Sequence, residues 1–268
     1  MTKVIGFIGA GQLGEPMVSR LLAAGHDVLV YARRAEVRDR VASQGAALAD
    51  SVADLARRSD ILISCLFSDA QFREIGLGPD GVVANARPGA VLVSHTTGTV
   101  STLTTLRDSH PSPPLILDAP VSGTVESINA GTLTVLLGGP ADAVQMVTPV
   151  LAAYADPIVP TGELGSALAI KLVNNLLFSC NAQLLAAAMQ LGQALGVGDD
   201  ALLSALQVCS SASHAAAQAH RVGGIQQFTE RATPFLRKDI AAAAEAAGEA
   251  GVDLGLLGVV ADSGPLEL

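Results

Sequence analysis

The segment Gly6-Phe7-Ile8-Gly9-Ala10-Gly11-Gln12-Leu13-Gly14 carries glycines in the spacing G-x-G-x-x-G. That spacing suits one task, the seating of a dinucleotide pyrophosphate. Gly9 permits a tight turn, Gly11 lets the backbone approach the diphosphate, and Gly14 lets the next helix pack on the preceding strand. Backbone N–H groups at the helix start then face the phosphates, where the helix dipole favours negative charge. The cofactor loop is therefore expected to comprise Gly9, Ala10, Gly11, Gln12, Leu13 and Gly14. A purely structural glycine turn is the alternative. The apolar run before the loop, the helical stretch after it and a second strand from Val28 favour the nucleotide.

The end of that second strand discriminates between cofactors. An NAD site places Asp or Glu there to accept from the ribose hydroxyls. This chain reads Tyr31-Ala32-Arg33-Arg34 instead. A guanidinium can pair with a 2′-phosphate through two parallel hydrogen bonds. Arg33 and Arg34 thus point to NADP(H) over NAD(H), the alternative being two solvated arginines at a helix start.

Two further groups could do chemistry. Asp118-Ala119-Pro120-Val121-Ser122-Gly123 ends in a hydroxyl beside a glycine, a pair able to cradle a small carboxylate, although Ser-Gly is also ordinary turn chemistry. Lys171 and Asn175 stand i, i+4 in an otherwise apolar stretch, so they share a helix face. Partial desolvation would lower the pKa of such a lysine and suit it to proton transfer near neutral pH. A lysine snorkelling near a helix start is the bland alternative. His26, His95, His110, His214 and His220 show no metal spacing, so no catalytic metal is expected, and His95 reads as a surface or loop residue.

These groups need a frame to hold them. Strand-like runs at 3–8, 28–31, 61–66, 91–94 and 115–119 alternate with helical stretches such as 12–24 and 34–43. Two later strands are read at 133–137 and 158–160. The alternation implies βαβ units, hence an α/β doubly wound, mainly parallel Rossmann sheet. Strand signals then cease. Residues 163–195 read as one long helix with no charge between Lys171 and Asp199, apolar nearly all round and expected to be buried on most sides. Helical stretches at 199–210, 214–222 and 234–248 follow, whereas the glycine-rich 255–268 reads poorly as a helix. Two domains are expected: residues 1–161, binding the nucleotide, and an all-helical 162–268.

Together the motifs resemble the β-hydroxyacid dehydrogenase family, which includes 3-hydroxyisobutyrate dehydrogenase, tartronate semialdehyde reductase, glyoxylate and succinic semialdehyde reductases and, more distantly, 6-phosphogluconate dehydrogenase. The resemblance runs through residues 6–17, 118–139, 162–175 and 235–239. It implies that Ser122 and Gly123 hold a substrate carboxylate, that Lys171 is the catalytic lysine and that Asn175 orients substrate beside it. It also implies that Leu66, Phe67 and Thr96 line the cofactor and that Lys238 reaches it from the helical domain. The reaction implied is interconversion of a small β-hydroxyacid and its semialdehyde or keto acid. The chain departs from the family at Thr124, where a second glycine is usual, and at Ser127 and Ile128, Ala167, Ser94 and Phe67-Ser68. It also stops at Leu268, where relatives continue through further helices.

Composition narrows the class of partner. A formal charge of −9 over 268 residues argues against nucleic acid or an anionic membrane as the main partner. Six Asn and Gln side chains between Leu172 and Leu195 argue against a membrane span. Cys65, Cys180 and Cys209 form no C-x-x-C pair, as in a reducing cytoplasm. A homodimer or higher homo-oligomer is compatible with the apolar long helix. Two other functions stay open: an imine reductase, which shares fold and cofactor but generally lacks the lysine, and a nucleotide-binding protein with a decayed site.

Overall fold

The computed structural model describes residues 3–268. The chain divides into two compact units, one ending at Lys171 and the other spanning Leu172–Leu268.

In the first unit, β1 (Val4–Ile8), β2 (Asp27–Tyr31), β3 (Ala47–Leu48), β4 (Ile61–Ser64), β5 (Val91–Ser94) and β6 (Leu115–Asp118) are the parallel strands. Their spatial order is β3-β2-β1-β4-β5-β6. The sheet continues through the antiparallel β8 (Leu133–Gly138), which β7 (Val121–Ser122) and β9 (Ala155–Gly162) flank. Side chains alternate between two cores. Phe7, Val30, Ile63, Val93 and Leu117 enter one; Ile8, Leu29, Leu62, Leu92 and Ile116 enter the other. Both faces are therefore buried, and so the strands read as unbroken apolar runs. The order of strand addition reverses between β1 and β4, and ligands of such sheets bind at that switch point. The glycine loop occupies it, between β1 and α1 (Gly14–Ala23).

The helices are α2 (Ala35–Ser43), α3 (Val52–Arg58), α4 (Asp69–Gly76), α5 (Val82–Asn85), α6 (Val100–Asp108), α7 (Val125–Ala130) and α8 (Ala141–Leu151). Serine or threonine side chains cap α3, α4 and α6, accepting the N–H three residues on.

The long helix α9 (Ser166–Ala194) starts in the first unit and continues in the second, followed by α10 (Asp199–Leu206), α11 (His214–Arg221), α12 (Ile225–Glu249) and α13 (Gly255–Ser263). Three sequence expectations need correction here. α9 is not buried on most sides: Val173, Leu177, Leu184 and Leu191 are 60%, 48%, 55% and 62% exposed. Its other face, with Leu176, Cys180, Leu185 and Met189, forms the core of the second unit. α12 begins at Ile225, not Pro234, and carries the proline in its interior. Residues 255–263 are helical despite their glycines. Ala261 is buried against Leu176, Cys180 and Ala243, and Gln183 donates to the carbonyls of Ala261 and Leu266, both at 2.8 Å. Tertiary packing overrides weak helix propensity at that point.

Candidate active site

The glycine loop satisfies the steric demands of a pyrophosphate seat. Gly9 has φ of +93°, and a Cβ there would lie 2.2 Å from the Cys65 carbonyl oxygen. A Cβ on Gly14 would lie 2.1 Å from the Gly9 carbonyl oxygen. Gly9 is thus required for the turn, and Gly14 for the contact between helix and strand. A Cβ on Gly11 would meet nothing within 4 Å. The fold therefore does not need that glycine, and the open space is where a phosphate group would approach. The residues present fit the group.

Beside Gly11 and Gln12 lies a cavity of about 350 Å³, lined also by Glu15, Arg34, Arg40 and Asn129. Arg40 donates to both Glu15 carboxylate oxygens, at 2.8 to 3.2 Å. That pairing, reinforced by the charge of Arg34, holds the Glu15 carboxyl below its ordinary range. Arg34 lies 3.7 Å from Glu36, and Arg33 lies 3.5 Å from Glu74; all four side chains are well exposed. Sequence reasoning missed Glu15 and Arg40. They are 25 residues apart, and no short-range pattern links them.

The loops after β4 and β5 are tied together. The Leu66 N–H donates to the Thr96 hydroxyl at 3.3 Å, and Thr96 is buried. Phe67 is 78% exposed, and its N–H donates to Gln71. His95 corrects the sequence reading, being buried and not a surface residue. Its Nδ1 lies 2.6 Å from the Ala119 carbonyl oxygen and its Nε2 lies 2.8 Å from the Tyr154 hydroxyl. A carbonyl only accepts, so Nδ1 carries the proton and Tyr154 donates to Nε2. Burial pushes the His95 pKa down to about 4, leaving a neutral ring. Burial also pushes the Cys65 thiol up to about 12.

Ser122 is exposed on β7, where it pairs with Thr134 of β8. Gly123 has φ of +147° and no room for a side chain: a Cβ would sit 2.9 Å from both Leu133 Cδ1 and Ser127 Oγ. Two departures from the family pattern form one local device. The Thr124 N–H donates to the Ser127 hydroxyl, at the start of α7. Lys171 is half-buried and is the sole charged residue of α9; Asn175 lies one turn further along the same helix. Lys238 lies on α12 in the second unit.

A doubly wound sheet with a glycine loop at its switch point, followed by a lysine-bearing long helix, defines a two-domain nicotinamide-dependent oxidoreductase. Residues 4–167 match the NAD binding domain of 6-phosphogluconate dehydrogenase, and residues 165–263 match the NAD-binding domain described for NADP-dependent 3-hydroxyisobutyrate dehydrogenase. The chain is 33% identical to 3-hydroxyisobutyrate dehydrogenase of Pseudomonas aeruginosa, over 77% of its own length and 70% of the relative's. It is 32% identical to 2-(hydroxymethyl)glutarate dehydrogenase of Eubacterium barkeri, over 79% and 70%. The structure of Mycobacterium tuberculosis 3-hydroxyisobutyrate dehydrogenase with L-serine superposes with a TM-score of 0.85 at 26% identity, covering 98% of this chain and 92% of that one. The chain belongs to the β-hydroxyacid dehydrogenase family.

Proposed function

We propose that this oxidoreductase uses NADP(H) to interconvert a small β-hydroxyacid and its semialdehyde or keto acid in the cytoplasm. The observation that carries the reading is Lys171, a half-buried cation on an otherwise uncharged helix, placed one turn from the amide of Asn175. Bound nicotinamide supplies or accepts the hydride. Ser122 and Gly123 hold the substrate carboxylate by hydroxyl and backbone N–H, and Asn175 orients the reacting oxygen, so that binding becomes orientation. Lys171 donates a proton to that oxygen in reduction and accepts it in oxidation, and its charge stabilises the oxyanion as it develops. Leu66, Phe67 and Thr96 complete the cofactor surface of the first unit.

The preference for NADP(H) is supported by Arg34 and Arg40 in the cavity beside Gly11 and by Ala32-Arg33-Arg34 standing directly at the end of β2, where an NAD site has an acid. Lys171→Ala should keep NADPH binding and lose most turnover across a panel of glyoxylate, short semialdehydes and cyclic imines. Turnover within a few-fold of the parent refutes the lysine role, and reduction of imines alone moves the reading to an imine reductase.

We propose further that two copies pair through α9. Ile170, Leu177, Leu184 and Leu191 recur every seven residues, all between 45% and 62% exposed. These residues form one apolar row of the kind that lines a seam between helices, and a second copy offers an equally uncharged one. Leu184→Asp should convert a dimer into a monomer in light scattering; a monomeric parent ends this part.

A further inference from the structure

We propose that Asp118 is a positioning residue of the site, fixing the first turn of α9 and with it Lys171 relative to Ser122 and Gly123; this rests on the role given to Lys171. A long helix leaves its first N–H groups without intrahelical partners. A local Ser, Thr, Asp or Asn at the N-cap ordinarily accepts from them. The residue before α9 is Gly165, which has no side chain, has φ of +95° and would drive a Cβ to 2.8 Å from Val100. It cannot cap its own helix.

Asp118 supplies the missing cap from 47 residues away. Its Oδ1 accepts the Gly165 N–H and its Oδ2 accepts the Leu168 N–H, both at 2.8 Å. The side chain is 0% exposed. A buried polar side chain must find hydrogen-bond partners, and the two backbone N–H groups satisfy both of its oxygens. The surroundings are shaped to admit it. Asp118 lies opposite Gly138 in the sheet, and a Cβ on Gly138 would come within 2.6 Å of Oδ1. Glycine at 138 is therefore the space through which the carboxylate reaches the helix.

The connection runs in two directions. Along the chain, Asp118 leads within four residues into Ser122 and then Gly123. Across space, it holds Leu168, and Lys171 follows three residues later, about 4.5 Å along the axis on the same face. Leu168 is itself anchored in the core with Leu103, Leu106 and Ile116. One carboxylate thus joins the carboxylate cradle to the turn bearing the proton donor. A displacement of about 1 Å at such a donor can cost about 100-fold in rate.

Asp118→Asn is the test, because it keeps shape but offers one acceptor where two N–H groups converge. In Asp118→Asn, kcat for the aldehyde acid reduced fastest by the parent should fall 10- to 100-fold, while KM and NADPH affinity stay within three-fold. Amide hydrogen exchange at Gly165 and Leu168 should quicken at least ten-fold, with β1 to β5 unchanged. Adding Asp118→Asn to Lys171→Ala should cost no further activity. Gly138→Ala, which crowds the carboxylate without removing it, should give the same split at smaller size and carries the test if Asp118→Asn does not fold. Unchanged exchange, or loosened amides with unchanged kcat, overturns the proposal while leaving Lys171 in place. Full turnover by Lys171→Ala overturns the lysine reading, and the positioning role with it.

Discussion

Replacing His95 by Gln should remove most of the mild-acid sensitivity of the first unit. In the folded protein His95 is neutral, enclosed by Ala119 and Tyr154, with a pKa of about 4. In the unfolded chain it titrates near 6.5. Between those values the unfolded state binds the extra proton, so stability is complete above pH 6.5 and falls as pH drops toward 4. From pH 7.5 to pH 5 the difference is about 1.5 pKa units, or about 2 kcal/mol at 1.36 kcal/mol per unit. With about 2–4 °C per kcal/mol for a domain of this size, the parent should lose about 4–8 °C more than His95→Gln. The measurement is thermal melting of both proteins at pH 7.5 and pH 5. Every other titratable group is common to the two proteins, so the comparison isolates residue 95. Equal losses of melting temperature would show that His95 is not held neutral.

Three more outcomes follow from contacts already described. Gly9→Ala should destabilise the fold by more than 1 kcal/mol, since its φ is positive and its Cβ meets a carbonyl, whereas Gly11→Ala should melt like the parent but bind NADPH at least ten-fold more weakly by fluorescence titration. Glu15→Gln should free Arg40 and lower KM for NADPH several-fold without changing KM for NADH; equal changes would place the 2′-phosphate elsewhere. Tyr154→Phe should leave the His95 Nε2 buried without a donor, costing about 1–3 kcal/mol in urea unfolding.

Much of the fold was legible because its signals are local. Unbroken β-branched runs and a 3.6-residue period report burial on two faces or one, and glycine spacing reports a turn. The strands at 28–31 and 91–94 and the starts of α10 and α11 follow from such patterns. What stayed hidden depends on partners far along the chain. His95 looked exposed because one polar residue says nothing of Ala119 and Tyr154, 24 and 59 residues on. Helix α13 looked like loose tail because its stabilising contacts come from α9, about 80 residues earlier. Arg40 could not be tied to Glu15, nor Asp118 to Gly165. One signal could have exposed Asp118: a charged residue ending an apolar strand, with no cation nearby in sequence, must find its hydrogen bonds elsewhere.

The departures from the family pattern gain meaning from the same reasoning. Thr124 and Ser127 are bulkier than the residues usual in this glycine-rich turn and read, from sequence, as a narrowing of the pocket. In the structure Ser127 accepts the Thr124 N–H and thereby closes the start of α7, so each substitution accounts for the other. Gly123, which precedes them, keeps a backbone conformation open only to glycine. The turn beside Ser122 is thus closed from within, by a residue of the helix it leads into.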